Sequence, residues 1–454
     1  MASNKGLDMT TGPIFKKLLL FAYPMMINGL VNTLYGIADQ VIAGQYIGDT
    51  AIAAVGTGVP AINLFFNTLM AVSAGVGVLC GNFIGGNQKE DLRKCMHCAP
   101  VIGLVFGLLL GLIGIFGTRP ILITMDTPDS VLSSATTYMT IRMIGMSVAL
   151  VSGYCSCIFS AHGDTKRTTV ISLISGTLNV IGNIVFVTLL PMGIAGIALS
   201  TVLSETFSLG IKLYILFSPK DLYQLRFKEL RIHPDLTKQI LRIGLPNGLN
   251  SVAFNLSNVI LQSSVNSLGA TILAGNAAAD TLTSIVTMIP SPFNSASGCA
   301  VAQCYGAGNF KRIKETVRTS LLGTTIIIIV ACTIVMVFAM PLMRMFTDSE
   351  EVARAGIPKL MFTTWSYVLY IFVLIYGGAL TGIRRSGEMM IRNLLGICIP
   401  RVLWVWFIFP LFGTPSSLYM VYPVSYFICA LLLGLAFRRN VQRLMAEHHP
   451  IAAQ

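Results

Sequence analysis

The sequence has 454 residues, of which 54% are hydrophobic and only 11% are charged. A soluble domain carries roughly 25% charged residues, so most of the surface of this chain is predicted to face lipid. The net charge of +12 could indicate nucleic-acid binding, but the location of the basic residues, given below, argues against it. No stretch looks like a separate soluble domain. At about 20 residues per crossing, the length allows about a dozen membrane spans.

Apolar runs along the chain predict an all-α membrane protein with twelve transmembrane helices in two pseudo-symmetric six-helix lobes. The first run follows Lys16 and Lys17 and is too long for a cleaved signal peptide, so we predict that it is retained. The runs lie at about 15–45, 51–80, 96–118, 131–158, 168–190, 194–217, 240–266, 272–303, 319–341, 356–380, 392–412 and 418–437.

The longest polar interval lies between the sixth and seventh runs. It predicts a cytoplasmic linker at residues 218–239, between an N-terminal lobe (1–217) and a C-terminal lobe (240–454) that ends in a short cytoplasmic tail. The two halves repeat each other at an offset of 221 to 222 residues: Pro24 corresponds to Pro246, and residues 82–86 correspond to 303–307. Six spans per half predict a pseudo-twofold axis along the membrane normal. Pro24 is a candidate hinge, with static curvature as the alternative.

The distribution of basic residues predicts that both termini are cytoplasmic. If the N-terminus is inside, 25 of the 31 Lys and Arg residues lie in inside segments, counting Lys212 at the end of the sixth span. The outside loops hold only Arg119, Arg344 and Arg354. Cytoplasmic loops of membrane proteins carry an excess of Lys and Arg, so the charge reflects topology in a multi-pass protein of the cell membrane.

Three acidic residues lie within predicted spans, namely Asp39, Glu205 and Asp280. A carboxylate at membrane depth costs at least a few kcal/mol, so each of them needs a partner, a proton or a water-filled cavity. Arg142 and Arg401 also lie mid-span. The sequence leaves open whether these arginines are structural partners of the acids or line a cavity.

Asp39 shares its predicted depth with other polar residues of the first lobe. Counted from the end of its span, Asp39 lies about seven residues, or ~10 Å, below the outer face. The same layer holds Tyr138, Asn183 and Thr201, with Asn179 and Glu205 one turn deeper. Carboxylate, carbonyl and hydroxyl oxygens are the ligands of a hard cation, and a buried Asp can equally hold a proton. Tyr35, one turn from Asp39, is predicted to donate a hydrogen bond to it.

Several segments together make the chain resemble the multidrug and toxic compound extrusion (MATE) family over nearly its full length. They are LYGIADQ at 34–40 with Gly44 and Gly48, AHGDTK at 161–166, GIAGIALST at 193–201 and QCYGAGN at 303–309. The resemblance implies twelve helices in two lobes and export of organic cations or drugs driven by inward H⁺ or Na⁺. It also implies a first-lobe cation site made by Asp39, Asn179, Asn183 and Thr201, with Tyr35 and Tyr138 nearby.

One position departs from the pattern of the family. Asn183 stands where relatives often have Asp, so one carboxylate is missing, and Glu205, one turn from Thr201, is the candidate to compensate. Some relatives carry a Glu in the seventh span and an Asp in the tenth for Na⁺ coupling, whereas here neither span has an acid. Second-lobe Na⁺ coupling of that type is therefore not expected.

We therefore expect a cation-coupled antiporter that exports small organic compounds, cations above all, by alternating access. Asp280 is a further supporting residue, and the expected partners are the substrates and the lipid bilayer. No cofactor beyond the coupling ion (H⁺ or Na⁺), no metal, no nucleic acid and no obligate protein partner is expected.

The alternative within transport is a flippase for a lipid-linked saccharide or polysaccharide precursor. Such anionic substrates favour a cleft rich in Arg and Lys, but only Arg142, Arg401 and Lys359 are candidates within spans. A channel fits the duplicated lobes less well than alternating access does. An intramembrane enzyme is not expected, because the sequence shows no catalytic constellation and we place all five histidines in loops or the tail.

Overall fold

The computed structural model describes residues 6–218, 224–347 and 349–448, and within these ranges the chain is helical and has no β-strand. The all-α fold class predicted from the apolar runs is confirmed. The chain forms two compact units, and each contains one copy of most of the repeat seen in the sequence.

The first half of the chain forms six long helices. Helix α5 is continued by a short π-helical segment, Val185–Leu189. The helices are α1 (Ile14–Tyr46), α2 (Asp49–Gly85), α3 (Lys89–Thr124), α4 (Asp129–Ala161), α5 (Thr165–Ile184) and α6 (Ile194–Phe217).

The second half is more interrupted. Pro290 starts a new helix, so the predicted span at 272–303 consists of two helices rather than one. The helices are α7 (Pro234–Asn266), α8 (Ala270–Thr287), α9 (Pro290–Gly306), α10 (Phe310–Val337), α11 (Ala339–Arg344), α12 (Glu350–Gly382), α13 (Ser386–Asn393), α14 (Ile399–Leu403), α15 (Phe409–Phe412), α16 (Pro415–Tyr419) and α17 (Val421–His448), with π-helical segments at Leu394–Cys398 and Trp404–Ile408.

Eleven helical stretches of the described residues are long and apolar enough to cross a membrane. Helix α7 is not among them, because Asp235, Lys238 and Arg242 lie in its first turns and several Asn and Ser residues follow. Its 33 residues nevertheless span about 50 Å at 1.5 Å per residue. That length is more than enough for the twelfth crossing predicted at 240–266.

Small residues bring α3 and α4 close together. Gly103, Gly107 and Gly114 lie on one face of α3, and a Cβ at Gly107 or Gly114 would overlap α4 at Ser147 or Met143. In lipid, where apolar burial drives helix association only weakly, such close backbone approach is the main source of packing energy. This contact fixes α4, which carries several residues of the site described below.

The boundary between the compact units lies inside two helices. The residues up to Asp8 and Tyr23–Gly248 form the first unit, and Met9–Ala22 and the residues from Leu249 onward form the second. The predicted lobes divide the chain at the linker, whereas the compact units divide it inside α1 and α7. Both divisions fall beside a proline, Pro24 in α1 and Pro246 in α7.

Local packing explains why the start of α1 belongs to the second unit. A Cβ at Gly323 of α10 would overlap the ring of Phe15. Just before the helix, the backbone N–H of Met9 donates to Gln303 Oε1 at 2.8 Å, and Arg312 donates to the carbonyl oxygens of Met9 and Thr11 at 3.0 and 2.6 Å. The start of the chain is thus fixed by contacts that are distant in sequence.

The segment between α6 and α7 is docked on the first unit. The Arg226 N–H donates to His97 Nε2 at 2.9 Å, Glu229 forms an ion pair with Arg93, and the rings of Phe217 and Phe227 stack 4.0 Å apart. The predicted linker ended at residue 239, but its last six residues are already the first turns of α7, where Pro234 suits a helix start. Positions 219–223 of the predicted linker lie outside the described residues.

Candidate functional site

A polar cavity of about 530 Å³ lies within the first unit. Its walls come from α1, α2, α4, α5 and α6. On α1, α5 and α6 the lining residues recur every three or four positions and are mostly polar, so each of these helices presents one polar face to the cavity. These faces are Asn32, Tyr35, Gly36 and Asp39 on α1, Ser172, Ser175, Gly176 and Asn179 on α5, and Thr201, Ser204, Glu205, Ser208 and Lys212 on α6.

Asp39 and Asn183 lie together at this site. The side-chain amide of Asn183 donates to Asp39 Oδ1 at 2.5 Å, and Asn183 is completely buried. Because the amide group is used in this way, Asn183 Oδ1 is fixed as an acceptor, and it has no hydrogen-bond partner among the described residues. An unsatisfied carbonyl oxygen beside a carboxylate is an arrangement that a proton donor or a cation would stabilise.

Asn179 and Thr201 form a second polar pair. Asn179 Nδ2 donates to Thr201 Oγ1 at 3.2 Å, and the Ser200 hydroxyl donates to the carbonyl oxygen of Asn179 at 2.7 Å. Both members of the pair line the cavity together with Asp39. The four residues expected at a first-lobe cation site are therefore brought to one region of the first unit.

Tyr35 does not donate to Asp39, contrary to the prediction. Its hydroxyl donates to the carbonyl oxygen of Leu173 at 3.0 Å and lies 3.3 Å from Thr177 Oγ1. A Cβ at Gly176 would overlap the Tyr35 ring, so the missing side chain at this position allows the ring to lie against α5. Tyr138, the other tyrosine of the predicted site, is buried and lines the cavity.

Glu205 is paired with Arg142. Their side chains approach to 3.4 Å and both line the cavity. This contact assigns a partner to an arginine that the sequence left without one. Glu205 is the second carboxylate among the residues that line the cavity, and it contacts the Arg142 guanidinium rather than Asn183.

Lys212 is a residue of this site that the sequence reasoning missed. It was counted with the basic inside segments, yet its side chain is only 5% exposed and its Nζ donates to Ser152 Oγ at 2.7 Å. A signal was available, because Thr201, Glu205, Ser208 and Lys212 follow one another at helical spacing on α6. A buried ammonium at the end of such a polar face is a functional candidate by default.

Asp280 belongs to the second unit and is not part of this cavity. It forms an ion pair of 2.5 Å with Lys359, whose side chain is 3% exposed against 54% for Asp280. The buried lysine therefore has a counter-charge, and Asp280 is explained as its partner. Pro24 lies inside the continuous helix α1, where its carbonyl oxygen accepts from Thr169 Oγ1 at 2.8 Å.

Comparison with known sequences relates the chain to one family of transporters. The profile of the MatE family matches residues 24–185 and 246–406, two segments that begin 222 and end 221 residues apart. That displacement is the offset of the internal repeat. The probable multidrug resistance protein YoeA of Bacillus subtilis (strain 168) is 24% identical over 400 residues, which cover 85% of this chain and 84% of that protein.

Solved structures show the same fold at lower identity. An outward-facing multidrug resistance transporter of the MATE family matches with a TM-score of 0.88 at 20% identity, over 98% of this chain and all of its own. A MOP superfamily transporter from Pyrococcus furiosus, described as having a binding pocket of reverse polarity, matches with a TM-score of 0.90 at 20% identity over the same shares. The match to MATE transporters confirms the predicted fold of twelve membrane helices in two lobes.

Proposed function

This chain belongs to the MatE family, and we propose that it is an antiporter that exports small organic compounds in exchange for inward-moving H⁺ or Na⁺. Its relatives include named multidrug resistance proteins, and its helices make it a multi-pass membrane protein. The observation that carries the proposal is the position of Asp39 in the wall of a polar cavity, next to the unsatisfied carbonyl oxygen of Asn183. We propose that the chain acts as a transporter and not as an enzyme.

The coupling ion is proposed to bind at Asp39. A proton would neutralise the carboxylate directly, and a monovalent cation would use Asp39 together with Asn183 Oδ1 and the hydroxyl of Thr201. Either event removes the free energy cost of a carboxylate held near the apolar interior. Asn179 supports the site by holding the Thr201 side chain in place.

Cavity charge gives a physical reason for exchange. Two carboxylates, Asp39 and Glu205, and two bases, Arg142 and Lys212, line the cavity, so their formal charges cancel when all four are ionised. Uptake of one proton or monovalent cation leaves a net charge of +1. An organic cation in the same cavity is then repelled, at a cost that rises as the surroundings become less polar. Ion and substrate therefore compete.

Export also requires that the ion binds one of two arrangements of the protein more tightly than the other. An ion with equal affinity for both arrangements leaves their populations unchanged. We propose that the rearrangement involves α1 at Pro24. Within α1, the residues before Tyr23 belong to one compact unit and those from Tyr23 onward belong to the other. A proline also leaves one backbone hydrogen bond of the helix unmade. A change in bend at this point would reorient the part of α1 that carries Asp39.

Flipping of a lipid-linked saccharide is the less favoured function. An anionic substrate of that type needs basic side chains that are free to bind it. In the cavity, Arg142 is occupied by Glu205, and Lys212 donates to Ser152. The bases that line the cavity are thus already engaged by groups of the protein itself.

We propose that both termini face the cytoplasm and that the protein lies in the cell membrane, from the 25 basic residues assigned to inside segments and the three in outside loops. Reporter fusions to the C-terminal tail test this orientation. A tail that reacts as extracellular would contradict it.

The test of function is transport by purified protein in liposomes. H⁺ and Na⁺ gradients are imposed separately, and a panel of fluorescent organic cations and neutral dyes is followed. We expect uptake of at least one organic cation that depends on one of the two gradients. The proposal would be wrong if transport depended on neither gradient or were restricted to anionic lipid-linked sugars.

A further inference from the structure

A second large cavity lies within the second unit, away from the residues used above. It is a groove of about 590 Å³ formed by α10, α12 and α17. This volume lies in the range of ligand pockets, roughly 300–1,000 Å³. Most of its wall is apolar, as with Leu321, Leu322 and Ile326 on α10 and Phe372 on α12.

Part of the groove wall is basic. Lys314 and Arg318 on α10 and Arg438 on α17 line it, and all three side chains are exposed. No acidic residue lines the groove, and none of the three forms an ion pair with any part of the chain that the structure describes. The basic part of the wall therefore carries three positive charges without an ion-pair partner among the described residues.

Along α10, apolar lining residues follow Lys314 and Arg318 in the direction of the helix axis. From Lys314 to Ile326 is twelve residues, or about 18 Å at 1.5 Å per residue. Gly434 on α17 keeps the groove open, because a Cβ there would lie 3.2 Å from the Tyr376 ring. The groove thus joins a cluster of positive charges to a long apolar channel.

We propose that this groove is a binding site for one anionic phospholipid. Its phosphate would lie at Lys314, Arg318 and Arg438, and an acyl chain would lie between α10 and α17. Basic pockets between membrane helices bind anionic headgroups in this way, and each Lys or Arg near the membrane surface adds about as much attraction as a weak ion pair. In the proposed topology the headgroup belongs to the cytoplasmic leaflet.

The phospholipid is favoured over a free anion by the apolar wall. Inorganic phosphate would contact the three basic residues alone and would leave the apolar part of the groove unfilled. A neutral lipid would fill the channel but would leave three charges unpaired. A molecule with both an anionic headgroup and an acyl chain would pair the three charges and fill the apolar channel.

The experiment measures binding of dioleoylphosphatidylglycerol to purified full-length protein by native mass spectrometry, with dioleoylphosphatidylcholine and inorganic phosphate as comparison probes. We expect preferential retention of phosphatidylglycerol, and a loss of apparent affinity of about tenfold or more in the Lys314→Gln/Arg318→Gln/Arg438→Gln variant. The matched control is Lys311→Gln/Arg439→Gln/Arg443→Gln, which removes the same charge from exposed positions of the same helices that do not line the groove.

Two further variants test the apolar part of the site. Gly434→Leu and Leu322→Trp keep every charge and narrow the groove, so both should weaken retention of phosphatidylglycerol; the second serves if the first does not fold. Equal losses in the groove triple variant and its control would overturn the proposal. So would equal retention of the two lipids, or inorganic phosphate that displaces the lipid at millimolar concentration.

Discussion

The two units carry different chemistry at positions that the internal repeat makes equivalent. In the first unit Asp39 contacts Asn183. The residues 222 positions later are Leu261 and Val405, which pack in one apolar cluster. A polar pair has thus been replaced by an apolar one on a shared helical scaffold.

The second polar pair has changed as well. Asn179 donates to Thr201 in the first unit. Within the repeat offset of 221 to 222 residues, the second unit has Arg401 222 positions after Asn179 and Tyr422 221 positions after Thr201. The Arg401 guanidinium lies 5.1 Å from the centroid of the Tyr422 ring and 5.3 Å from that of Tyr426, which lies 221 positions after Glu205. The second unit thus has the guanidinium of Arg401 on aromatic rings where the first unit has an amide and a hydroxyl.

This difference indicates that repetition supplied the framework and that divergence of side chains supplied the function. Arg401 is completely buried, donates to Asn258 Oδ1 at 2.7 Å and stacks on three aromatic rings. A fixed guanidinium repels any cation that approaches it. The comparison is consistent with the proposal above, in which the ion binds in the first unit.

The largest effect is expected for Asp39→Asn. The variant keeps a hydrogen-bonding side chain of the same size, so it should reach the membrane in normal amounts. It loses the only carboxylate next to Asn183, so gradient-driven transport should fall to the level of empty liposomes. The measurement is initial transport rate per amount of reconstituted protein.

The control for this variant is Asp129→Asn, an exposed acid in the first turn of α4. Its transport rate should equal that of the unmodified protein. An Asp39→Asn variant that transports at the normal rate would show that the acid is structural and that coupling lies elsewhere.

Glu205→Gln and Arg142→Gln should show intermediate effects. Each substitution leaves one charge of a partly buried ion pair without its partner, at a cost of about 1–3 kcal/mol. The double variant should be less impaired than the sum of the two single variants, because it removes both charges. Unfolding and transport are measured for the unmodified protein, the two single variants and the double variant as a double-mutant cycle. Additive effects would show that Glu205 and Arg142 are not energetically coupled. A Glu205→Gln variant as inactive as Asp39→Asn would make Glu205 part of the ion site.

Arg401→Lys should affect stability more than coupling. A lysine keeps the charge but not the flat guanidinium, so stacking on the three rings is weakened by about 2 kcal/mol. We expect a lower unfolding temperature and an unchanged choice of coupling ion. Arg344→Lys, at an exposed position, is the control, and a change of coupling ion in Arg401→Lys would contradict the asymmetry between the units.

The smallest effects are expected in the segment between α6 and α7. Lys228→Gln should leave substrate binding intact, and Glu229→Gln should loosen the segment by removing its ion pair with Arg93. Arg93 lowers the pKa of Glu229. The stabilising contribution is therefore present above the ordinary pKa of a glutamate and is lost as the pH falls below it.

Hydrogen exchange of residues 224–233, corrected for intrinsic rates, checks this prediction. The unmodified protein should become less protected as the pH falls from neutral through the lowered pKa of Glu229, whereas Glu229→Gln should be less protected at both ends of this range. Loss of substrate binding in Lys228→Gln would contradict a linker that serves only as a connection.

The sequence alone determined the number of spans, the internal repeat and the layer of polar residues that includes Asp39, Asn183 and Thr201. These features depend on distances along one helix and on the thickness of a bilayer, and both are fixed by residue counting. Depth alone placed Asp39, Asn183 and Thr201 in one layer and Asn179 one turn deeper.

Only the tertiary structure decided which side chains meet within that layer. It directed Tyr35 to Leu173 rather than to Asp39, paired Glu205 with Arg142, and turned Lys212 into the cavity. It also paired Asp280 with Lys359 in an ion pair and placed the start of α1 in the second unit. Residue counting gives the depth of a side chain but not the neighbour across the helix interface, because that neighbour depends on how distant helices rotate and pack against one another.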